Sequence, residues 1–201
     1  MRVVGIGGTL RKGSSSLGAL RRALSASQGA GAEVELIDLR ELALPMYEPG
    51  RPLDDYGPEV RRLIEAMRGA DALILSTAAY HGTLAGVTKN ALDFAQFLRG
   101  DERPYLEGRV VGLISTAGGD RAAANTTDAM VHVVHALRGV VAPQMVTIGD
   151  ARNRFDSEGD VTDEGCRERL DRLGRLVVDI AEGLNNRGPM DRNAQTVGVA
   201  L

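Results

Sequence analysis

An α/β domain built around a parallel sheet is the fold class that the sequence predicts. Five predicted strands alternate with five predicted helices, which is the pattern of a layered α/β domain. Two of the strands, DALILST at residues 71–77 and RVVGLIST at residues 109–116, are nearly continuous apolar runs, as expected for strands buried on both faces. With 201 residues and 43% hydrophobic content, the chain is long enough to form one domain with its own core.

The strands are predicted from apolar runs and from one alternating segment. Residues 33–38 (EVELID) alternate polar and apolar side chains, whereas residues 71–77 are unbroken and therefore central in the sheet. The predicted strands span residues 3–6, 33–38, 71–77, 109–116 and 140–148.

The helices are predicted at residues 17–27, 58–68, 83–98, 122–138 and 162–182. Glycines end the first two, and Pro58 stands in the first turn of the second, where a missing N–H costs nothing. Residues 39–55 and 151–159 are expected to be loops. Residues 185–201 are expected to form a loose tail, which leaves residues 1–184 as the folded domain.

Composition excludes several classes of protein. The net charge is -3, with 24 basic and 27 acidic residues, and only 3% of residues are aromatic, which argues against nucleic-acid binding. The single cysteine, Cys166, excludes an internal disulfide and fits the cytoplasm. No apolar run approaches the ~20 residues of a membrane span. We therefore expect a cytoplasmic protein with neither nucleic acid nor membrane as a partner.

The segment after the first strand has the composition of a phosphate-binding loop. Residues 7–16 begin with two glycines and include the hydroxyl-bearing Thr9, Ser14, Ser15 and Ser16, and a helix is predicted directly afterwards. At such a junction free N–H groups and the positive end of the helix dipole point to one spot. Arg11 adds a charged donor, and residues 1–32 contain five Arg or Lys but no Asp or Glu. The sequence thus favours an anion site here.

Two known phosphate motifs fit this segment only in part. Residues 8–15 have the glycine spacing of a Walker A loop, but Ser14 stands where the phosphate-binding lysine is needed. Leu10 stands where a dinucleotide fingerprint has its third glycine. A monophosphate held by hydroxyls and backbone remains, with an ordinary helix N-terminus after a serine run as the alternative.

Two more loops should meet the first, because ligands of parallel sheets bind beyond the carboxyl ends of the strands. In the second loop Gly82 allows close backbone approach, Thr83 can cap the next helix, and Tyr80 and His81 place planar groups at the rim. A packed tyrosine and a solvated histidine are the alternatives. The two loops add to the predicted site Ala78, Ala79, Tyr80, His81, Gly82, Thr83, Ser115, Thr116, Ala117, Gly118 and Gly119.

A metal site is not predicted. His132 and His135 are three residues apart on the fourth predicted helix, so their side chains share a face. No carboxylate or third ligand accompanies the pair, and two histidines alone do not make a metal centre.

Three stretches resemble the NADPH-dependent FMN reductase family, which includes chromate/quinone reductases and azoreductases. GTLRKGSSS at residues 8–16 resembles the family's G-S-x-R-x-x-S-x-N loop, and LPMY at residues 44–47 is similar to its L-P-x-Y. AAYHGTLAGVTKNALD at residues 78–93 resembles its P-x-Y-N/H-G-S-x-x-G-x-L-K-N-A-L-D segment. The departures are Thr9 for Ser, Ser16 for Asn, Ala78-Ala79 for Pro-Glu and Thr88 for Leu.

The resemblance implies a flavodoxin-like three-layer sandwich: a five-stranded parallel sheet of order 2-1-3-4-5 with helices on both faces. It implies bound FMN whose phosphate is held by Thr9, Arg11, Ser14 and Ser16, with residues 80–83 and 115–119 beside the isoalloxazine. NADPH or NADH would be the co-substrate, and the chain would be a homodimer or homotetramer.

The activity so implied is an FMN-dependent NAD(P)H oxidoreductase. Hydride would pass from NAD(P)H through bound FMN to a second acceptor: a quinone, an azo or nitro compound, a metal ion or free flavin. No side-chain acid or base is obligatory, so Tyr80 and His81 are only weak candidates for a catalytic role. The alternatives are a flavodoxin-type electron carrier, which the near balance of charges disfavours, and a non-catalytic flavin-binding module.

Overall fold

A computed structural model describes residues 1–186, and its centre is a mostly parallel sheet with helices on both faces. The strands are β1 (Arg2–Gly7), β2 (Glu33–Asp38), β3 (Ala72–Tyr80), β4 (Thr83–Leu84), β5 (Val110–Thr116), β6 (Val140–Val141) and β7 (Val146–Ile148). The helices are α1 (Ser15–Gly29), α2 (Leu39–Leu42), α3 (Pro58–Gly69), α4 (Gly86–Asp93), α5 (Asp120–Ala136) and α6 (Glu164–Asn185). Short 3-10 helices lie at Leu53–Asp55, Phe94–Leu98 and Ala151–Asn153.

The sheet confirms the α/β class but corrects its predicted details. Residues 1–186 form seven strands and not five, in the order β2-β1-β3-β5-β6 in place of the expected 2-1-3-4-5, with β7 also pairing with β5 and β4 pairing with β3. The single strand predicted at residues 140–148 is wrong. β6 and β7 both run parallel to β5, and Pro143 lies between them. A proline has no N–H to donate, so the ladder is interrupted there.

The core consists of two apolar layers, one on each face of the sheet. α1 and α6 pack on one face, and α3, α4 and α5 pack on the other. Gly174 lets α6 approach α1 closely, because a Cβ there would overlap the Ala23 carbonyl oxygen. At the same crossing Ser27 Oγ donates to the Gly174 carbonyl at 2.9 Å, so the buried hydroxyl is satisfied.

The predicted helix at residues 83–98 is wrong in its first turn. Thr83–Leu84 forms β4, α4 begins at Gly86, and Ala85 occupies the N-cap, so Thr83 does not cap the helix. The predicted loop at residues 39–55 also contains α2 and a 3-10 turn. Of the predicted tail, Asn185 ends α6, and residues 187–201 lie outside the described part of the chain.

Candidate functional site

A cleft of about 540 Å³ opens at the carboxyl edge of the sheet, where β1, β3 and β5 end. The three loops predicted to converge do meet there. The cleft is lined by Thr9, Arg11, Lys12, Gly13, Ser14, Ser15, Ser16, Ala78, Ala79, Tyr80, Thr116, Ala117, Gly118, Ala151, Arg152, Phe155, Asp156 and Ser157.

The first loop presents a chain of buried hydroxyls. Thr9 Oγ1 donates to Ser14 Oγ at 3.2 Å, and Ser14 Oγ lies 2.9 Å from Ser16 Oγ. The loop is held close to β3, because Ser76 Oγ donates to the Ser16 carbonyl at 2.7 Å. A Cβ at Gly7 would overlap the Ser76 carbonyl oxygen, so this approach requires the glycine.

The N-terminus of α1 faces this loop. Ser14 is the N-cap, and its carbonyl accepts from Leu17 N and Gly18 N at 3.0 Å each. Its side chain makes no capping bond, because the hydroxyl is engaged with its neighbours in the loop. The first N–H groups of a helix have no partner within the helix. Without a side-chain cap they remain available to an anion.

Positive charge stands at the mouth of the first loop. Arg11 and Lys12 are both exposed and line the cleft. The Arg11 guanidinium donates to the Gly13 carbonyl at 3.2 Å, which Gly13 presents from a positive φ of 65°. The sequence analysis counted Lys12 among the five basic residues that favour an anion site, but it included neither Lys12 nor Gly13 among the predicted site residues.

The second loop is a β-hairpin. Tyr80 pairs with Thr83 across a two-residue turn in which His81 has φ 51° and Gly82 has φ 90°. Positive φ at both central residues is the geometry that fits the twist of hairpin strands. Tyr80, half exposed at 50%, lines the cleft together with Ala78 and Ala79. His81, Gly82 and Thr83 are exposed at or beside the turn and do not line it.

A hydroxyl pair explains how the chain accommodates Thr88. Thr77 Oγ1 lies 2.9 Å from Thr88 Oγ1 and accepts from Ala85 N at 3.1 Å, so both buried threonines are satisfied.

On the same helix, the Asn90 side chain holds the segment after α2. Asn90 Nδ2 donates to the Pro45 carbonyl, and Tyr47 N donates to Asn90 Oδ1, each at 2.8 Å.

The third loop contributes Thr116, Ala117 and Gly118 to the lining. Ser115 is buried and its Oγ turns towards α5, where it lies 2.8 Å from the Ala123 carbonyl and 2.7 Å from Thr127 Oγ1. Gly119 is the N-cap of α5 and is likewise not part of the lining.

A family model described as NADPH-dependent FMN reductase matches residues 1–153. The chain belongs to this family. The resemblance stated from the sequence is therefore confirmed, and with it an oxidoreductase that uses FMN and NAD(P)H.

Individual relatives agree with this family assignment. An NAD(P)H-dependent FMN reductase of Pseudomonas aeruginosa is 33% identical over 175 residues, covering 85% of this chain and 89% of the relative. An FMN-dependent NADPH-azoreductase of Staphylococcus aureus is 28% identical over 162 residues, covering 79% of this chain and 81% of that protein.

Solved structures show the same fold. FerB of Paracoccus denitrificans, a flavoenzyme NAD(P)H:(acceptor) oxidoreductase, has a TM-score of 0.70 at 24% identity and covers 90% of this chain and 97% of its own. An archaeal flavodoxin has a TM-score of 0.60 at 11% identity, covering 92% of this chain and 99% of its own. The fold is therefore flavodoxin-like, as the resemblance implied.

A fourth element of the cleft was missed by the sequence reasoning, which took residues 151–159 as a surface loop. We call residues 151–161 the clamp segment. Its first residue is tied to the third loop, because Ala151 N donates to the Ala117 carbonyl at 3.0 Å. Further along, the Ser157 carbonyl oxygen would lie 2.5 Å from a Cβ at Gly13, in the first loop. The Asp156–Gly159 turn chemistry was visible in the sequence, but its packing partner was not.

The start of α6 anchors the end of this segment. Asp163 caps the helix by accepting from Cys166 N at 2.8 Å, and Arg154 Nη1 lies 3.2 Å from Asp163 Oδ1. Hydrogen bonds from Cys166 and Arg154 lower the pKa of the Asp163 carboxyl, and burial raises the pKa of the Cys166 thiol. Cys166 therefore stays a neutral, packed thiol at neutral pH.

Residues 1–186 contain no group of three or more His, Cys, Asp or Glu side chains placed to hold a metal ion. His132 and His135 are exposed on α5. None of the helices within that range is both long enough and apolar enough to cross a bilayer.

Proposed function

We propose that this chain is an FMN-dependent NAD(P)H oxidoreductase that passes electrons from NAD(P)H through FMN to a small-molecule acceptor. One observation carries the proposal. A hydroxyl-lined helix N-terminus and two walls of small residues border the same cleft at the carboxyl edge of the sheet. Family membership supports the same conclusion.

The donor set of the cleft fits FMN. A phosphate monoester needs several hydrogen-bond donors and positive charge, and these are supplied by Thr9, Ser14, Ser15, Ser16 and Arg11 next to the start of α1. A flat ring system needs walls without bulky side chains. Ala78, Ala79, Ala117 and Gly118 provide such walls. His81, Gly82, Thr83, Ser115 and Gly119 stay predicted contacts that lie outside the lining.

When bound, FMN supplies the redox chemistry, by accepting a hydride and giving electrons to a second acceptor. The residues of the chain bind and orient. The first loop fixes the phosphate end, and the backbone of residues 78–80 and 116–118 borders the ring. Tyr80 is half exposed at the rim, where its ring can pack against a planar acceptor. We assign no acid or base to the reaction.

The acceptor belongs to the classes implied by the resemblance: a quinone, an azo or nitro compound, a metal ion or free flavin. A flavodoxin-type carrier would need an acidic surface to find its protein partner. This chain has 24 basic and 27 acidic residues, and its cleft is lined by three cationic side chains. A small molecule is therefore the better-supported acceptor.

The decisive experiment is an absorption spectrum of the purified protein, reconstituted with FMN, before and after anaerobic NADPH. We expect a bound-flavin spectrum that bleaches rapidly, followed by recovery when a quinone or an azo dye is added. A flavin untouched by NADPH would favour the electron carrier, and a protein that does not take up FMN would overturn the proposal. Bleaching without turnover on a broad acceptor panel would favour a non-catalytic module.

We further propose that the chain works in the cytoplasm as a homodimer or homotetramer. Three exposed large apolar side chains support a self-association surface at one edge of the sheet: Leu10 and Met46 come after β1 and β2, and Tyr80 is the last residue of β3. Sedimentation equilibrium tests this expectation. A monomer at micromolar concentration would contradict it.

A further inference from the structure

The clamp segment crosses the end of the part of the chain that the family model matches: Ala151 and Arg152 lie inside the match, which ends at residue 153, and residues 154–161 lie beyond it. It nevertheless forms a side of the cleft. Ala151, Arg152, Phe155, Asp156 and Ser157 all belong to the lining. The segment therefore adds to the site residues that the family motifs do not include.

Hydrogen bonds hold the segment in one shape. The Asp156 carboxylate accepts from Glu158 N at 3.0 Å and from Asp160 N at 2.9 Å, which closes a turn. Phe155, which is buried, pairs with Val161 in an isolated antiparallel bridge on either side of that turn. This side of the cleft is therefore a fixed part of the site.

Three glycines let the segment lie directly on the first loop and on α1. A Cβ at Gly18 would overlap the Gly159 carbonyl oxygen. Gly159, at φ 89°, would place a Cβ 3.0 Å from the Gly13 carbonyl carbon. Backbone packs on backbone at this contact, so residues 151–157 keep a defined position beside the phosphate-binding loop.

The charged side chains in and beside the clamp segment differ in whether other protein groups already hydrogen-bond to them. The Asp156 carboxylate is occupied by the N–H groups of its own turn, and Arg11 already donates to the Gly13 carbonyl. Arg152 is exposed and, within residues 1–186, makes neither a hydrogen bond nor an ion pair. Arg152 lines the cleft, and all of its guanidinium donors are without a partner in the described part of the chain.

We propose that Arg152 binds a phosphate group in this cleft, either the phosphate of FMN or a phosphate of the nicotinamide co-substrate. The inference rests on the proposed function, because both ligands come from it. A guanidinium is the side chain best suited to a phosphate, since its N–H groups match two oxygens at once. Its place between the third loop and the phosphate-binding loop puts it within the same ligand site.

The test compares Arg152→Ala and Arg152→Lys with Arg175→Ala, a matched control on the exposed face of α6. Apoprotein is titrated with FMN and with riboflavin, which lacks the phosphate, and binding is followed by quenching of flavin fluorescence. FMN-loaded protein is then titrated with NADP+ and with NAD+ by calorimetry. Thermal unfolding of each variant confirms that the fold is unchanged.

We expect Arg152→Ala to weaken the binding of at least one phosphate-bearing ligand by about tenfold. The affinity of Arg152→Lys should lie between those of Arg152→Ala and the wild type. If FMN binds more weakly and the affinity for riboflavin is unchanged, Arg152 contacts the phosphate of the cofactor. If NADP+ binds more weakly and the affinity for NAD+ is unchanged, Arg152 contacts the 2′-phosphate of NADP+. If both dinucleotides bind more weakly by the same factor, Arg152 contacts the pyrophosphate.

Affinities for FMN, NADP+ and NAD+ that all match those of Arg175→Ala would overturn this inference and leave the proposed function intact. Failure of the wild-type protein to bind FMN or NADP+ would instead overturn both.

Discussion

The two edges of the sheet use the same chemical groups in opposite ways. At the amino edge, Arg109 is only 2% exposed and donates to the carbonyls of Ala70, Tyr105 and Arg68 at 3.0, 3.1 and 2.8 Å. At the carboxyl edge, Arg11 and Arg152 are exposed and line a cleft. Arginine is structural where it is buried and three backbone carbonyls accept from it, and it can recognise a ligand where it is exposed and at most one carbonyl accepts from it.

Burial has a measurable consequence at the amino edge. Burial, with the nearby Arg103 as a second cause, lowers the pKa of Arg109 to about 10. The side chain stays charged at neutral pH, and its hydrogen bonds to three carbonyls offset the cost of burying that charge. The two edges therefore differ in what a mutation should remove: stability at one, ligand affinity at the other.

The largest expected effect tests the amino edge. Arg109→Ala leaves buried carbonyls without donors and should lower the free energy of unfolding by about 3 kcal/mol. The folded fraction should still bind FMN normally, because the cleft is at the opposite edge. Urea denaturation measures the first quantity and fluorescence titration the second. A loss no larger than that of Arg175→Ala would contradict the structural role.

The next largest effect is expected at the contact between α1 and the clamp segment. Gly18→Ala forces a methyl group into the Gly159 carbonyl oxygen, so the segment must shift. We expect the unfolding free energy to fall by about 1–3 kcal/mol, together with weaker FMN binding. Gly29→Ala is the matched control, because a Cβ at this position on the same helix meets nothing within 4 Å. Equal behaviour of the two variants would refute the packing argument.

A smaller effect, confined to affinity, is expected at the first loop. Arg11→Ala removes an exposed cation from the side of the cleft where we propose that the phosphate binds, and it should weaken FMN binding by about tenfold. Riboflavin binding should be unchanged, because riboflavin carries no phosphate. Fluorescence titration with both flavins decides. A parallel loss for riboflavin would show that Arg11 acts on the shape of the loop instead.

The smallest expected effects come from two serines, one that lines the cleft and one that is buried against α5. Ser14→Ala removes a hydroxyl that faces the cleft and should weaken FMN binding by about threefold. Ser115→Ala removes a hydroxyl that bonds only within the fold, so it should cost about 1 kcal/mol of unfolding free energy and no affinity. Titration and urea denaturation of both variants measure the two quantities. Loss of FMN affinity in Ser115→Ala but not in Ser14→Ala would contradict the assignment of Ser14 to the cleft and of Ser115 to the core.

Much of the fold followed from the sequence because the signals were local. Residues 33–36 alternate polar and apolar side chains, and the strand predicted at residues 33–38 has those bounds in the structure. The three loops could be placed together because parallel strands end at one edge and glycine and hydroxyl residues mark all three. Ser115 was placed in the site for the same reason, and composition alone could not show that its hydroxyl faces α5.

The features that were missed depend on contacts distant in sequence or on very short strands. The hairpin at residues 80–83 follows from a His81-Gly82 pair, a weaker signal than Asn-Gly, so a loop that leads into a helix at Thr83 was expected instead. The clamp segment contacts Gly13 and Gly18 from far along the chain. Its polar composition shows a turn, but only the folded backbone shows where that turn packs.

The amide of Asn90 has one more consequence. Because it fastens Pro45 and Tyr47 to α4 through two hydrogen bonds, the proline-rich segment and the helix after the hairpin should shift only in concert. Met46, between those two attachment points, is 72% exposed and so stands at a constrained position on the protein surface. A molecule that binds to this surface therefore meets an exposed apolar side chain whose backbone neighbours are both held in place by Asn90.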